Sequence, residues 1–309
     1  MSSVRVFAPA TVANVGCGYD VLGFALYRPG DEVAVRLTDS GKVTLDQVEG
    51  DDGRLPLDPE KNTVSSVVIS YLEHIGSKQG VGISLHKKMP FGSGLGSSAA
   101  SAVGGLVAVN EIMGRPLDRR ELLPFAMEGE RLACGNAHAD NVAPSLLGGF
   151  VLIRSYDPLD VISLPVPGDI CCALVYPHIE IPTLAARQII RQNIPMSGAI
   201  RQWGNVGALV AGLYRDDLEL IGRSLEDFIV EPVRKMLIPG FDGLRETAVA
   251  NGALGFGISG SGPTVFSLCR NKTCAEAAAK ALVSELAGNG VASTSWVSKI
   301  NSEGAVVLK

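Results

Sequence analysis

Between Pro90 and Ala100 the chain reads PFGSGLGSSAA, and this segment constrains the fold more than any other. Gly92, Gly94 and Gly96 recur at alternate positions. A backbone without Cβ atoms can adopt positive φ and bring several N–H groups close to one anion. Ser97 and Ser98 follow, then Ala99, Ala100 and small or helix-favouring residues as far as Met113, where Gly114 and Pro116 stop the helix that this run predicts. A strand is expected at 81–85, so the order is strand, glycine loop, helix. That order points loop amides and the positive end of a helix dipole at a polyphosphate, with hydroxyls in reach of a metal. No GK[ST] follows the glycines, which excludes a Walker A loop, and the GxGxG spacing is not the dinucleotide fingerprint. A literal GxGxxG at Gly255, Gly257 and Gly260 runs into Pro263 and TVFSLC, a strand pattern where a helix is required, so it is not a Rossmann site.

The 309 residues suit two packed halves, with the boundary expected near 155–168 around Pro165 and Pro167 and taken as 1–160 and 161–309. A net charge of −5 and the lack of any Lys/Arg run leave no basic face for a phosphate backbone, so nucleic acid is not an expected partner. The longest apolar stretch, 99–109, is too short for a membrane span and contains Ser101, Gly104 and Gly105. VRVFAPA near the N-terminus lacks the basic-then-apolar pattern of a signal, and a cytoplasmic protein is expected. Cys17, Cys134, Cys171, Cys172, Cys269 and Cys274 form no CxxC pair and no zinc spacing, so they read as reduced core or loop residues.

Periodicity predicts strands at 31–37, 43–48, 149–153, 171–176 and 292–297. Helices are predicted at 63–75, 119–133 with Asp118 as cap, 183–190, 203–214, 218–228, 241–251 and 275–286. The stretch around Pro165 and Pro167 reads as poor in strand.

The glycine loop resembles the second motif of the GHMP kinases, a family that includes galactose, homoserine, mevalonate and phosphomevalonate kinases. PATVANVGCGYDVLGFAL (Pro9 to Leu26) is similar to the first motif in its homoserine kinase form, GFGISGSGPTVFSL (Gly255 to Leu268) to the third, and HADNVAPSLLGG (138–149) to the segment that follows the metal-binding Glu. Four motifs in family order cover most of the chain. The resemblance implies an α+β fold with an N-terminal half like domain 2 of ribosomal protein S5, a ferredoxin-like C-terminal half, and a site between them. It also implies ATP and Mg²⁺ as cofactors, L-homoserine as acceptor in a step of threonine biosynthesis, and a homodimer as one possible assembly.

By the same resemblance, ATP would meet Asn62 and the loop residues Pro90, Gly92, Ser93, Gly94, Leu95, Gly96, Ser97, Ser98, Ala99 and Ala100. Ser98 and Glu130 would hold magnesium, an oxygen-only set that suits a hard cation. Asn62 also reads as a helix cap, and both roles stay open. Substrate would contact Asn14, Asp20, His138, Asn141, Thr183, Arg187 and Arg234, the two arginines clamping its carboxylate. Arg191 and Lys235 are the neighbouring rivals. Asn141 stands where other branches carry an Asp base, so Asn141, Glu130 and Arg187 are the residues expected to carry the reaction. Asp140 is expected to point away. The competing readings are another GHMP kinase, acting on mevalonate, diphosphocytidyl-methylerythritol or shikimate, and a non-catalytic binding protein of this fold.

Overall fold

The computed structural model describes residues 3–135, 137–181, 183–191 and 193–309, together with their side chains except those of 134 and 183–185. Two sheets organise it. The larger sheet is built from β1 (Ser3–Ala13), β2 (Leu22–Thr38), β3 (Val43–Glu49), β4 (Gly80–His86), β5 (Phe150–Tyr156) and β6 (Leu159–Leu164), and it also takes a strand from the C-terminus. β2 is long because it serves both sheet directions: residues 32–38 pair with β4, whereas residues 22–24 pair with β5. β3 pairs with β4 in parallel, and the other neighbours run antiparallel.

Helices α1 (Thr63–His74), α2 (Ser97–Ile112), α3 (Leu123–Cys134) and α4 (Ala139–Leu147) cover this sheet. From 99 to 110 every residue of α2 is buried. Its small residues explain how it fits: a Cβ on Gly104 would lie 2.7 Å from Val33 Cγ2, and one on Gly105 2.7 Å from Val64 Cγ2. The apolar run at 99–109 is therefore a helix packed between the sheet and α1. Among the described residues no helix is long and apolar enough to cross a membrane.

The second sheet has the order β10-β7-β9-β8, formed by β7 (Cys171–Pro177), β8 (Ala253–Ile258), β9 (Val265–Cys269) and β10 (Ser293–Lys299). Between β7 and β8 lie α5 (Thr183–Gln188), α6 (Met196–Arg215), α7 (Leu218–Arg223), α8 (Glu231–Arg234) and α9 (Phe241–Ala250), and α10 (Lys272–Gly288) follows β9. The last strand, β11 (Val306–Leu308), returns to pair with β1.

Several expectations change. The stretch around Pro165 and Pro167 carries no strand, as expected, but 159–164 just before it folds back on β5 as a hairpin that was not expected. The strand expected at 31–37 starts nine residues earlier, at Leu22, with β1 as its partner along most of its length. Residues 139–147 form a helix that was not expected, and 119–122, expected as the start of a helix, is a 3₁₀ turn before α3. The helix from 218 ends at Arg223, since the Asp227 carboxylate accepts from the amides of Ile229, Val230 and Glu231 and holds 224–230 as a turn. Because β6 runs across 160/161, we propose that the halves divide at 165–170, between the two sheets.

Candidate active site

A cleft of about 790 Å³ opens between the sheets, walled by the glycine loop, the β1–β2 connection, the start of α4, and Arg187 and Arg234. Gly92, Gly94 and Gly96 have φ of 60°, 79° and 69°. A Cβ on Gly94 would sit 2.3 Å from the Ser259 carbonyl oxygen, and one on Gly96 2.1 Å from Thr11 Oγ1, so both need glycine twice over. The third motif supports the loop: Ser259 Oγ donates to the Gly94 carbonyl at 2.7 Å, and the Thr264 amide to the Ser93 carbonyl at 3.1 Å. The Leu95 carbonyl accepts from the Thr11 amide at 3.0 Å. Ser93 Oγ turns back to the Pro90 carbonyl, and Ala99 and Ala100 are buried in the first turn of α2.

Ser98, on the first turn of α2, donates its hydroxyl to Glu130 Oε1 on α3 at 2.6 Å. Two oxygens bound side by side to one Mg²⁺ at 2.0–2.1 Å would be roughly 2.9 Å apart, so this pair fits such an ion. Among the described residues no group of three or more acidic, His or Cys side chains is placed to hold a metal. One carboxylate and one hydroxyl suit an ion that takes its other ligands from phosphates and water.

Part of the cleft wall beyond the glycine loop is polar and charged. Asp20 accepts from both terminal nitrogens of Arg187, at 3.2 and 3.0 Å, and His138 Nδ1 lies 3.7 Å from the same carboxylate. Asn14 Oδ1 accepts from the Asp20 amide and Nδ2 donates to the Gly260 carbonyl. Asn14 and Asp20 both have positive φ, 70° and 59°, stabilised by this local bonding. Arg234 is buried and donates to the carbonyls of Ala186 and Gly260. Tyr19 lies between the arginines, its ring centroid 5.7 Å from the Arg187 guanidinium and 5.3 Å from that of Arg234. Both ring nitrogens of His138 are buried without a hydrogen bond to any of the described residues. Burial holds its pKa below the ordinary value against the pull of Asp20.

Asn141 lines the cleft, and its Oδ1 accepts from Thr11 Oγ1 at 2.7 Å, which leaves the amide nitrogen as its donor. Asp140 is a buried residue at the wall of the cleft. Burial, with the nearby Asp20 and Glu130 charges, pushes its carboxyl up to about 8. Asn62 is a helix cap: Oδ1 accepts from the Val64 amide, Nδ2 donates to the Pro56 carbonyl, and the residue is 2% exposed. Both side-chain groups are thereby engaged, although the residue lines the cleft. Thr183 opens α5, and its side chain lies outside the described residues. Of the two rivals, Arg191 borders an adjoining groove that shares Tyr19 and Arg187 with the cleft but does not itself line the cleft, and Lys235 pairs with Asp242 at the surface.

Sequence reasoning missed Thr11, Tyr19 and Tyr156. The first two stand inside the first motif and were within reach. Tyr156 carries no local signal, yet its hydroxyl donates to the Asp20 carbonyl at 2.6 Å and accepts from the Ala139 amide at 3.3 Å, joining two walls of the cleft.

Two family models match the chain, "GHMP kinases N terminal domain" over residues 62–149 and "GHMP kinases C terminal" over 209–288. The chain is similar to the homoserine kinase of Chloroherpeton thalassium, at 50% identity with the whole of both chains covered. It is 49% identical to that of Chlorobaculum tepidum, covering 100% of this chain and 99% of the other. The crystal structure of homoserine kinase from Cytophaga hutchinsonii superposes with a TM-score of 0.98 at 55% identity, covering 100% and 98% of the two chains.

Proposed function

The chain belongs to the homoserine kinases of the GHMP kinase family, and from that premise we propose how its residues move the γ-phosphoryl group of ATP to the side-chain hydroxyl of L-homoserine. What supports the reading is that one cleft gathers a set of groups suited to phosphates and a set suited to an amino acid. The glycine loop and the Ser98–Glu130 pair form the first, and Asp20, His138, Arg187 and Arg234 the second.

Phosphoryl transfer depends on positioning and on neutralising charge more than on covalent chemistry. The loop amides and the start of α2 receive the phosphates. Ser98 and Glu130 would hold a magnesium ion, which would supply charge neutralisation for the phosphates. In the second set Asp20 and Arg187 already form an ion pair. A zwitterion enters by exchanging with it, the ammonium going to Asp20 and the carboxylate to Arg187, so no charge is left uncompensated. Arg234 adds positive charge beside Arg187, and His138 offers its unpaired ring nitrogens.

Asn141 donates from its amide nitrogen to the substrate hydroxyl and fixes its direction, and an amide cannot take the proton. Asp140 retains its own proton at neutral pH, because its pKa is near 8. The γ-phosphate oxygens therefore accept the hydroxyl proton, and the enzyme works without a protein base.

The test is ADP release with homoserine, with its carboxamide, and with its N-acetyl derivative, each analogue lacking one charge. Each should lose at least about tenfold in kcat/KM, the scale of one charged hydrogen bond. Unchanged kcat/KM for both would contradict the assignment of this set.

A further inference from the structure

We propose that Asp31 is a positioning residue for ATP, its carboxylate tying the two ends of the phosphate loop together, with Lys87 as its counter-charge rather than as a phosphate ligand. The inference rests on the ATP reading above and goes beyond it. Asp31 lies on β2, beneath the loop and wholly buried. Its Oδ1 accepts from the amides of Lys88 at 2.8 Å and Met89 at 3.1 Å, where the chain leaves β4 for the loop. Its Oδ2 accepts from Ser97 Oγ at 2.9 Å, where the loop becomes α2, and from Lys87 Nζ at 2.5 Å. Entrance and exit of residues 90–96 thus hang from one carboxylate.

Lys87 is the buried cation just ahead of the loop, and a lysine there invites comparison with the phosphate-binding lysine of other nucleotide loops. Its bonding argues otherwise. Nζ carries three protons and has three acceptors in place: Asp31, the Ser97 carbonyl at 2.8 Å and Ser101 Oγ at 2.8 Å. The Lys87 and Asp31 side chains are 3% and 0% exposed, so turning Nζ to a phosphate would strand a buried carboxylate. The pair is an internal brace. It fixes the distance between strand end and helix start before nucleotide arrives, and with it the place of Ser98 opposite Glu130.

The test compares Asp31→Asn with the double variant Asp31→Asn/Lys87→Met, which removes both buried charges at similar size and spares the protein an unpaired cation. In the folded double variant KM for ATP should rise about tenfold or more while KM for homoserine stays within about twofold, a split that a general loss of stability would not produce. Wild-type KM for ATP in that variant would overturn the proposal. Should neither variant fold, amide hydrogen exchange on the ligand-free wild type decides. Lys88 and Met89 should exchange about 100-fold more slowly than Phe91 and Gly92 in the same loop, and equal rates would overturn the brace. A wild-type protein that released no ADP from ATP and homoserine would remove the kinase reading itself, whereas turnover with an indifferent double variant removes only the role of Asp31.

Discussion

Glu130 meets Ser98 across 2.6 Å, and exchanging its carboxylate for an amide keeps the shape while removing the charge a magnesium ion requires. Glu130→Gln should lower kcat by about 100-fold or more, the scale of one lost electrostatic contact in a transition state, with an unchanged circular dichroism spectrum. Full activity at low magnesium would contradict the assignment. Arg234→Lys replaces a planar two-point donor by a point charge and should raise KM for homoserine far more than KM for ATP. Lys235→Ala, which loses only a surface pair with Asp242, should change neither. Asp140 gives a pH signature. Its carboxyl ordinarily titrates near 3.8 and in the fold near 8, so the folded state holds an extra proton between those values. Stability from this group is fully present below about 3.8 and is lost as pH rises through about 8. Asp140→Asn has no carboxyl to titrate, so its melting temperature relative to the wild type should climb as pH rises from about 4 to about 8 and level off above that. The same variant should retain appreciable turnover, whereas Asn141→Leu, which loses the donor that orients the hydroxyl, should be much worse. Abolished turnover in Asp140→Asn, with both substrates still bound, would restore a protein base.

Single elements were legible from the sequence wherever their cause is local. The glycine loop was readable because positive φ and close backbone approach leave glycine as the one suitable residue, and α1 because Asn62 caps it and an apolar face follows. The cap has a measurable weight. Asn62→Ala should lower unfolding free energy by about 1 kcal/mol in a urea titration, Asn62→Asp should recover most of it by keeping the acceptor for Val64, and KM for homoserine should move in neither. What escaped reading depends on distant partners. β6 exists because β5 offers it a ladder, and three residues of β11 become a strand because β1 lies beside them. Pro144 argues against a helix at 139–147, yet burial of Val142, Ala143 and Leu146 in the main core holds one there. Ser97 was read as a phosphate contact from its position in the motif, while its bond to Asp31, sixty-six residues away, could not be foreseen.

Across the whole molecule the reaction depends on two halves meeting. Asn14, Asp20, Glu130, His138 and Asn141 belong to the half built on the larger sheet, and Arg187 and Arg234 come from the helices after β7. The four motifs contain the candidates Asn14, Asp20, His138 and Asn141, whereas Arg187 lies outside them, and bringing it within 3.0 Å of Asp20 is a product of the sheets packing together. The sharing of the main core by both halves, from Val6 and Leu106 to Leu174 and Phe266, makes that geometry a property of the complete chain. The most direct measurement is therefore coupled ADP release by the full chain over a panel of homoserine, mevalonate, shikimate, galactose and serine. An amino-acid set built from Asp20, His138, Arg187 and Arg234 predicts that homoserine exceeds every other acceptor by at least about 100-fold in kcat/KM, since mevalonate, shikimate and galactose lack the ammonium and serine holds its hydroxyl one carbon short. A panel in which mevalonate, shikimate or galactose equals homoserine would contradict the account.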